Sequence, residues 1–505
     1  MELLNHILLG AQICLTPTNL FFCFMGVLMG TLVGVLPGLG PTAAIAILLP
    51  NTFHVSPVTA IIMLAGIYYG AMYGGSTTSI LVNIPGEAAS VITCLDGYQM
   101  ARQGRAGAAL GIAAFGSFIA GTVSVIGLML VAPPLAKFAL AFGPPEYFSL
   151  MLMGIVILIY LAAGSILKAL MMAMFGLLIG TIGMDTISAT QRLTCGLLEL
   201  CDGVGLIPAI MGLFGVAEVI ANVEQEIKRE FVTSRVKNLL PTLQDWKDSI
   251  WPILRGSFLG FFIGILPGPA PVISAFSSYA IEKKLSKHPE KFGTGMIEGV
   301  AGPESANNSA TGGAFIPLFT LGIPSNSVIA ILLGAFMIHG IQPGPMLITK
   351  YPDLFWGTII SMYVGNAMLL VLNLPMIGIW VKVLKVPYPI LFPLILLFCL
   401  IGVYSLNYSK VEVSLMIGFG VFGYLARKFQ FEMAPLVLAL VIGPMMESKL
   451  RLSLVISHGS PWVFIEKPIS AIFIFISLAL LLSPMVSKIS KRRQKLQELV
   501  EGEDV

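Results

Sequence analysis

Glu304 stands in Pro303-Glu304-Ser305, within a polar run from Glu298 to Thr320 (EGVAGPESANNSATGGAFIPLFT) that lies between apolar stretches. An acid in such a place must pair, take a proton or meet water. Glu304 either binds a coupling cation or proton, locks the segment by accepting backbone N–H bonds, or sits in a solvated loop. A second polar run, Gly70 to Asn83 (GAMYGGSTTSILVN), is the partner of the first. Neutral side-chain oxygens suit a hard cation such as sodium. Runs this rich in Gly, Ser, Asn and Thr suggest unwound backbone at membrane depth, with carbonyls for a cation and N–H groups for an anion. Ser76, Thr77, Thr78, Asn83, Glu304 and Thr320 are therefore candidate cation ligands, and Ser305, Asn307 and Asn308 candidate substrate ligands. The competing reading is hydrogen bonding that glues small-residue helices together. Glu87 and Asp96 are weaker candidates, because Gly86 to Gly107 has loop composition, and Arg102 and Arg105 mark a loop at a membrane surface, the alternative being an arginine that clamps substrate.

The elements that would position these residues come in duplicate. Gly26 to Pro41 reads GVLMGTLVGVLPGLGP and Gly256 to Pro271 reads GSFLGFFIGILPGPAP, 230 positions apart, with 7 identities in 16 positions. Glycine at every fourth residue lets helices approach closely, and Pro-Gly-x-x-Pro cannot continue a helix. Each copy is read as a helix that breaks, and paired breaks in two halves point to a transport site at the membrane midplane. The helix ends so created aim free N–H groups and positive dipole ends inward, where carboxylates bind well. Pro37, Gly38, Gly40, Thr42, Pro267 and Gly268 join the candidate substrate ligands on this ground, the alternative being kinks needed only for packing. The repeat extends loosely. Gly74-Gly75 followed by Ile84-Pro85-Gly86 answers Gly312-Gly313 followed by Ile323-Pro324-Ser325 with one residue inserted, and Asp96-Gly97 answers His339-Gly340.

A chain of 505 residues that is 56% hydrophobic and 11% charged lies outside the range of water-soluble globular domains. The fold class is all-α: a polytopic membrane protein of about 11–14 segments, with continuous rather than alternating apolar runs. No lysine or arginine precedes Arg102, so the basic region of a cleavable signal is missing and the first helix is expected to stay. Cationic clusters at Lys228–Lys247, Lys283–Lys291 and Lys488–Lys495 belong on the cytoplasmic side. The polar stretch 222–249 is read as a cytoplasmic connector between membrane repeats 1–221 and 250–487, with a charged cytoplasmic tail at 488–505. The second broken segment is flanked by cations and the first is not, which fits two inverted-topology repeats. Arg255 to Lys284 is either a re-entrant hairpin or one broken spanning helix. The net charge of +3 implies no nucleic-acid partner, and the six cysteines show no ligand spacing. Scattered histidines, no HExxH and no GxxxxGK[ST] argue against a metal site and against ATP hydrolysis, so no cofactor is expected and coupling to an ion gradient is the alternative. No Ser-His, paired-Asp or metal constellation suggests an enzyme.

Five stretches carry a resemblance: Pro37-Gly-Leu-Gly-Pro-Thr, IYYGAMYGGSTTSILVNIPGEAAS from Ile67, DGYQMARQGRAGAALGIAAFGSF from Asp96, GILPGPAPVISAFSSYAIEKKLSK from Gly264, and EGVAGPESANNSATGGAFIPLFTLGIPS from Glu298. The chain resembles, over nearly its full length, the large membrane subunit of bacterial tripartite tricarboxylate transporters. The resemblance implies a secondary transporter of the inner membrane that works with a small membrane subunit and a periplasmic binding protein delivering a carboxylate. It further implies import driven by sodium or protons and an elevator-like movement, and a homodimer of the large subunit is a further possibility. Pro269-Ala270-Pro271 stands where the first half has Leu39-Gly40-Pro41, and Ser325-Asn326 where it has Gly86-Glu87, so the halves are chemically unequal. A passive channel and an intramembrane enzyme are the competing classes.

Overall fold

The structure, a computed structural model, describes residues 2–36, 40–162, 165–185, 188–224, 238–384 and 388–482. Pro37 and Gly38 lie outside the described residues, as do residues 225–237 of the connector and the charged tail. The protein is an all-α polytopic membrane protein. Among the described residues, seven helices are long and apolar enough to cross a membrane, including Pro17–Val35, Pro57–Val82, Ala106–Ala139 and Pro352–Asn373, and five shorter apolar helices accompany them. Among the described residues, β-structure is one antiparallel pairing of Gly183–Met184 with Gln191–Arg192.

The duplicated glycines do the same work in each half. A side chain at Gly26, Gly30 or Gly34 on helix Pro17–Val35 would collide with the backbone of Met63, Ile67 or Ala71 on helix Pro57–Val82. On helix Leu243–Ile265, Gly256, Gly260 and Gly264 meet Gly302, Ala306 and Ala310 of helix Glu298–Gly313 in the same way. Backbone lies on backbone along three turns, the approach that small residues at four-residue spacing permit between membrane helices.

The repeat continues at a constant shift of 239 positions, from Gly74 and Gly313 to the breaks. Asn83 (φ 57°) and Gly322 (φ 69°) end their helices in the left-handed conformation, each followed by Ile-Pro and then a helix start capped by a side chain. Glu87 Oε2 accepts from Ala89 N (2.6 Å) and Asn326 Oδ1 accepts from Ile329 N (2.9 Å). The expected inserted residue is not needed: Gly74 faces Thr31 O as Gly313 faces Phe261 O, so Gly313 and not Gly312 is its counterpart. The later signposts also move. Gly104 (φ 80°) and Gly340 (φ 70°) close the next helices with matching bonds, Arg105 N to Met100 O and Ile341 N to Phe336 O, both 2.9 Å. Asp96-Gly97 instead lies inside a π turn, Cys94–Tyr98.

Two other expectations are corrected. The polar runs are not unwound, since Pro57–Val82, Glu298–Gly313 and Phe315–Leu321 are helical, and the stretch read as a loop after Gly86 is mostly helical from Ala88 to Arg102. At membrane depth a backbone must satisfy its own polar groups, and that demand outweighs the loop preference of Gly, Ser and Asn. The choice left open for Arg255–Lys284 falls to the hairpin. Helices Leu243–Ile265 and Ala270–Leu285 pack side by side, and Arg255 Nε donates to Glu282 Oε1 (2.9 Å) at almost equal distance from the turn at Gly268.

The halves meet as an inverted pair. Tyr68 and Asn307 occupy equivalent positions, as do Glu87 and Asn326. Asn307 Nδ2 donates to Glu87 Oε1 (3.2 Å), and Asn326 Nδ2 donates to Tyr68 Oη (3.0 Å), so one contact is the image of the other. Tyr68 meets the Phe315 ring and Ser76 meets Glu304, so as one chain advances its partner recedes. The broken helices therefore cross antiparallel, about an axis perpendicular to their length, which is the geometry of inverted-topology repeats.

Candidate functional site

The antiparallel crossing brings two acids into the interior. Glu304 is 1% exposed; its Oε2 accepts from Ser76 Oγ (2.5 Å) and its Oε1 from Thr93 Oγ1. Glu87 is 8% exposed and divides its carboxylate between Ala89 N and Asn307 Nδ2. Among the described residues, no lysine, arginine or histidine lies within ion-pair distance of either acid. Neutral hydroxyls and amides hold both groups, and the hydroxyls on Glu304 can donate to a carboxylate or accept from a carboxylic acid.

Asn308 extends the cluster to a third helix. Its Nδ2 donates to Ser117 Oγ (2.8 Å) on helix Ala106–Ala139 and to Glu304 O (3.0 Å), leaving Oδ1 without a donor. Two small cavities flank the crossing. One, of about 10 Å³, is bordered by Tyr73, Ser76, Thr77, Ser117 and Asn373. The other, of about 20 Å³, is bordered by Tyr69, Tyr73, Ser124, Asn308, Thr311 and Asn366. Each has room for about one water-sized particle. Helix Pro352–Asn373 closes both from outside the repeat pair, with Asn366 Oδ1 accepting from Tyr73 Oη and Asn366 Nδ2 donating to Phe118 O (2.8 Å).

The expected site residues divide accordingly. Ser76, Glu304, Asn307 and Asn308 come together at the crossing, and Thr77 borders a cavity beside them. Thr78 instead donates to Val35 O (2.7 Å), joining two helices of one half. Thr320 and Ser305 return their hydroxyls to their own helices, to Ile316 O and Ala301 O, both 2.7 Å. Asn83 is an exposed helix end. Gly268 N donates to Ser325 O (2.7 Å), tying the hairpin turn, Pro267 included, to the second break. Gly40 caps helix Pro41–Leu48, with half-buried Thr42 in its first turn, and nothing lies within 4 Å of where a Gly40 side chain would be.

Sequence reasoning passed over Thr93, Tyr68, Tyr73, Ser117, Ser124, Asn366 and Asn373. A signal for four of them was present. Ser117 and Ser124 are seven residues apart in one apolar helix, and Asn366 and Asn373 are seven apart in another. Such spacing puts each pair on one helix face, and polar groups on an apolar span face the protein interior.

The family model described as the tripartite tricarboxylate transporter TctA family matches residues 20–438, which include every residue of the crossing. The chain belongs to the TctA family. It is 51% identical to an uncharacterised 52.8 kDa protein of the TAR-I ttuC' 3' region in Agrobacterium vitis, over 98% of this chain and 99% of that protein. A second protein of that organism, from the TAR-II ttuC' 3' region, is 47% identical over 47% of this chain and 98% of its own length. No solved structure matches the chain. TctA proteins are large membrane subunits of tricarboxylate transporters and work beside a small membrane subunit and a periplasmic binding protein. The broken helices of this TctA chain thus belong to transport machinery.

Proposed function

We propose that this chain is the carrier subunit of an ion-coupled importer of di- or tricarboxylates, driven by a sodium or proton gradient and supplied by the binding protein. The observation that carries the reading is the pair of buried acids, Glu87 and Glu304, held at an inverted crossing without a cationic partner among the described residues. A bare charge at that depth is costly, on the order of several kcal/mol. A cation or proton that travels with the acids removes the cost, and coupling follows from that requirement.

The anion belongs on the other half. Helices Ala270–Leu285 and Ser327–Ile338 start close together because Gly268 N bonds Ser325 O. Two helix starts so joined offer N–H groups and positive dipole ends to a carboxylate. Asn326 caps the second with a neutral amide where the first half has the acid Glu87, so the second half does not repel an anion. Alternating access then proceeds elevator-like, the glycine-packed units moving against the outer helices. The protein resides in the bacterial inner membrane with connector and tail in the cytoplasm, as the cationic clusters favour.

Reconstitution of both membrane subunits in proteoliposomes, with the binding protein and citrate as probe, tests this. Accumulation driven by a sodium or a proton gradient, and lost when that gradient is collapsed, is the expected result. Flux indifferent to both gradients makes the protein a passive channel and rejects the proposal.

A further inference from the structure

We infer that the larger cavity, between Tyr73, Ser124, Asn308, Thr311 and Asn366, is a binding site for a sodium ion, with Ser124 Oγ and Asn308 Oδ1 as its ligands. The inference rests on the ion-coupled reading and gives the ion ligands other than those that the sequence suggested for a cation.

The orphaned oxygens come first. Ser124 is 0% and Asn308 4% exposed, and neither Ser124 Oγ nor Asn308 Oδ1 has a hydrogen-bond partner, although both residues border the same cavity. Buried polar groups are nearly always partnered, so two orphans on one cavity call for an occupant. The amide of Asn308 cannot be turned to relieve this, because Nδ2 is already committed to Ser117 Oγ and Glu304 O. Gly312 adds a steric sign: a side chain there would run into Ser124 Oγ, so the glycine keeps that hydroxyl's position open.

The remaining lining offers lone pairs and few donors. Tyr73 Oη donates to Asn366 Oδ1, Tyr69 Oη to Ser361 O (3.4 Å), Thr311 Oγ1 to Asn307 O (3.1 Å), and Asn366 Nδ2 to Phe118 O (2.8 Å) and Thr122 Oγ1 (3.2 Å). A cavity whose hydrogens point away and whose oxygens stay free favours a hard cation over an anion. Neutral ligands suit a single charge, since divalent ions are usually held by carboxylates. Glu304, one helical turn before Asn308 on the same helix, brings a compensating negative charge to the same crossing, its carboxylate held by Ser76 and Thr93. An ion here touches both broken helices, helix Ala106–Ala139 and helix Pro352–Asn373, so its arrival is felt by both halves at once.

Sodium-dependent thermal stabilisation of the purified protein in lipid nanodiscs reads this site without reference to transport. Sodium chloride is titrated against choline chloride at constant ionic strength. In the wild type sodium stabilises with a saturable curve, and Ser124→Ala raises the half-saturating concentration at least tenfold. Ser257→Ala, which removes a hydroxyl bonded to its own helix at Ile253 O, serves as control and leaves the curve in place. A merely structural Ser124 predicts an unchanged sodium curve, because removing an unpartnered buried hydroxyl leaves the fold as stable or more so and does not touch sodium affinity. An unchanged sodium curve in Ser124→Ala overturns the inference, as does a wild type indifferent to sodium. The second result leaves proton-driven uptake standing, which the proteoliposome assay decides separately.

Discussion

Glu87 and Asn326 sit at the same point of two inversely related helix breaks, 239 positions apart, and each caps the helix that follows. Their neighbours correspond too, since Glu87 meets Asn307 as Asn326 meets Tyr68. One is an acid and the other an amide. A scaffold built twice thus carries one acidic and one neutral pole, and the cation-coupled anion importer proposed above needs both.

Asn326→Asp tests that division. Aspartate is as good a cap as asparagine, so the helix and the fold persist. The added charge faces an anionic substrate, and the KM for citrate rises about tenfold or more, an electrostatic cost of about 1.4 kcal/mol. Uptake kinetics in proteoliposomes check it, and an unchanged KM removes the anion from the second half.

Glu304→Gln keeps the shape and two hydrogen-bonding positions but removes the titratable charge. Gradient-driven uptake falls about 100-fold or more, while sodium-independent exchange of substrate across the membrane falls far less. Comparing accumulation with counterflow in the same vesicles separates the two. Equal losses in both assays make Glu304 a packing residue.

Gly260→Ala places a methyl group against Ala306 O, where the second half's helices touch backbone to backbone. Overpacking of this kind costs about 1–3 kcal/mol. Gly30→Ala strikes Ile67 in the first half and costs a similar amount. Thermal unfolding of both variants is expected to show matching losses, and an unaffected Gly260→Ala contradicts the tight pairing.

Asp96 is buried and accepts from Gly293 N (2.9 Å), Gly295 N (2.8 Å), Met296 N (2.7 Å) and Tyr279 Oη (2.9 Å). Asp96→Ala leaves these donors unpaired at a cost of about 2 kcal/mol or more. Limited proteolysis then cuts at 293–296 sooner than in the wild type, with the glycine-packed helices intact. Equal cutting rates rule out the tether.

The glycine helices and the Ile-Pro breaks were legible because close packing and helix termination each demand particular residues at particular spacings. Gly26, Gly30, Gly34 and their counterparts could be aligned without coordinates, and so could Ile84-Pro85 with Ile323-Pro324. What misled was composition. Asn307, Asn308 and Thr311 read as unwound backbone by the habits of soluble chains, yet they lie on a continuous helix because lipid offers its backbone no other partner. Thr93 was lost inside a stretch mistaken for a loop, although it holds one oxygen of Glu304. Thr78 and Thr320 carry the right chemistry and face the wrong way, which spacing alone does not decide.

The shift between halves grows from 230 at the glycine helices to 239 at the broken ones, so the second half carries nine additional residues between them. Segment 286–297 lies in that interval, and Asp96 of the first half holds its glycine-rich end. Halves related by a two-fold rotation alone would make a door that swings as easily one way as the other. Under the alternating access proposed above, an added strap latched by the opposite half spoils that evenness, giving one exit extra bonds to break before it opens and the cycle a preferred resting side.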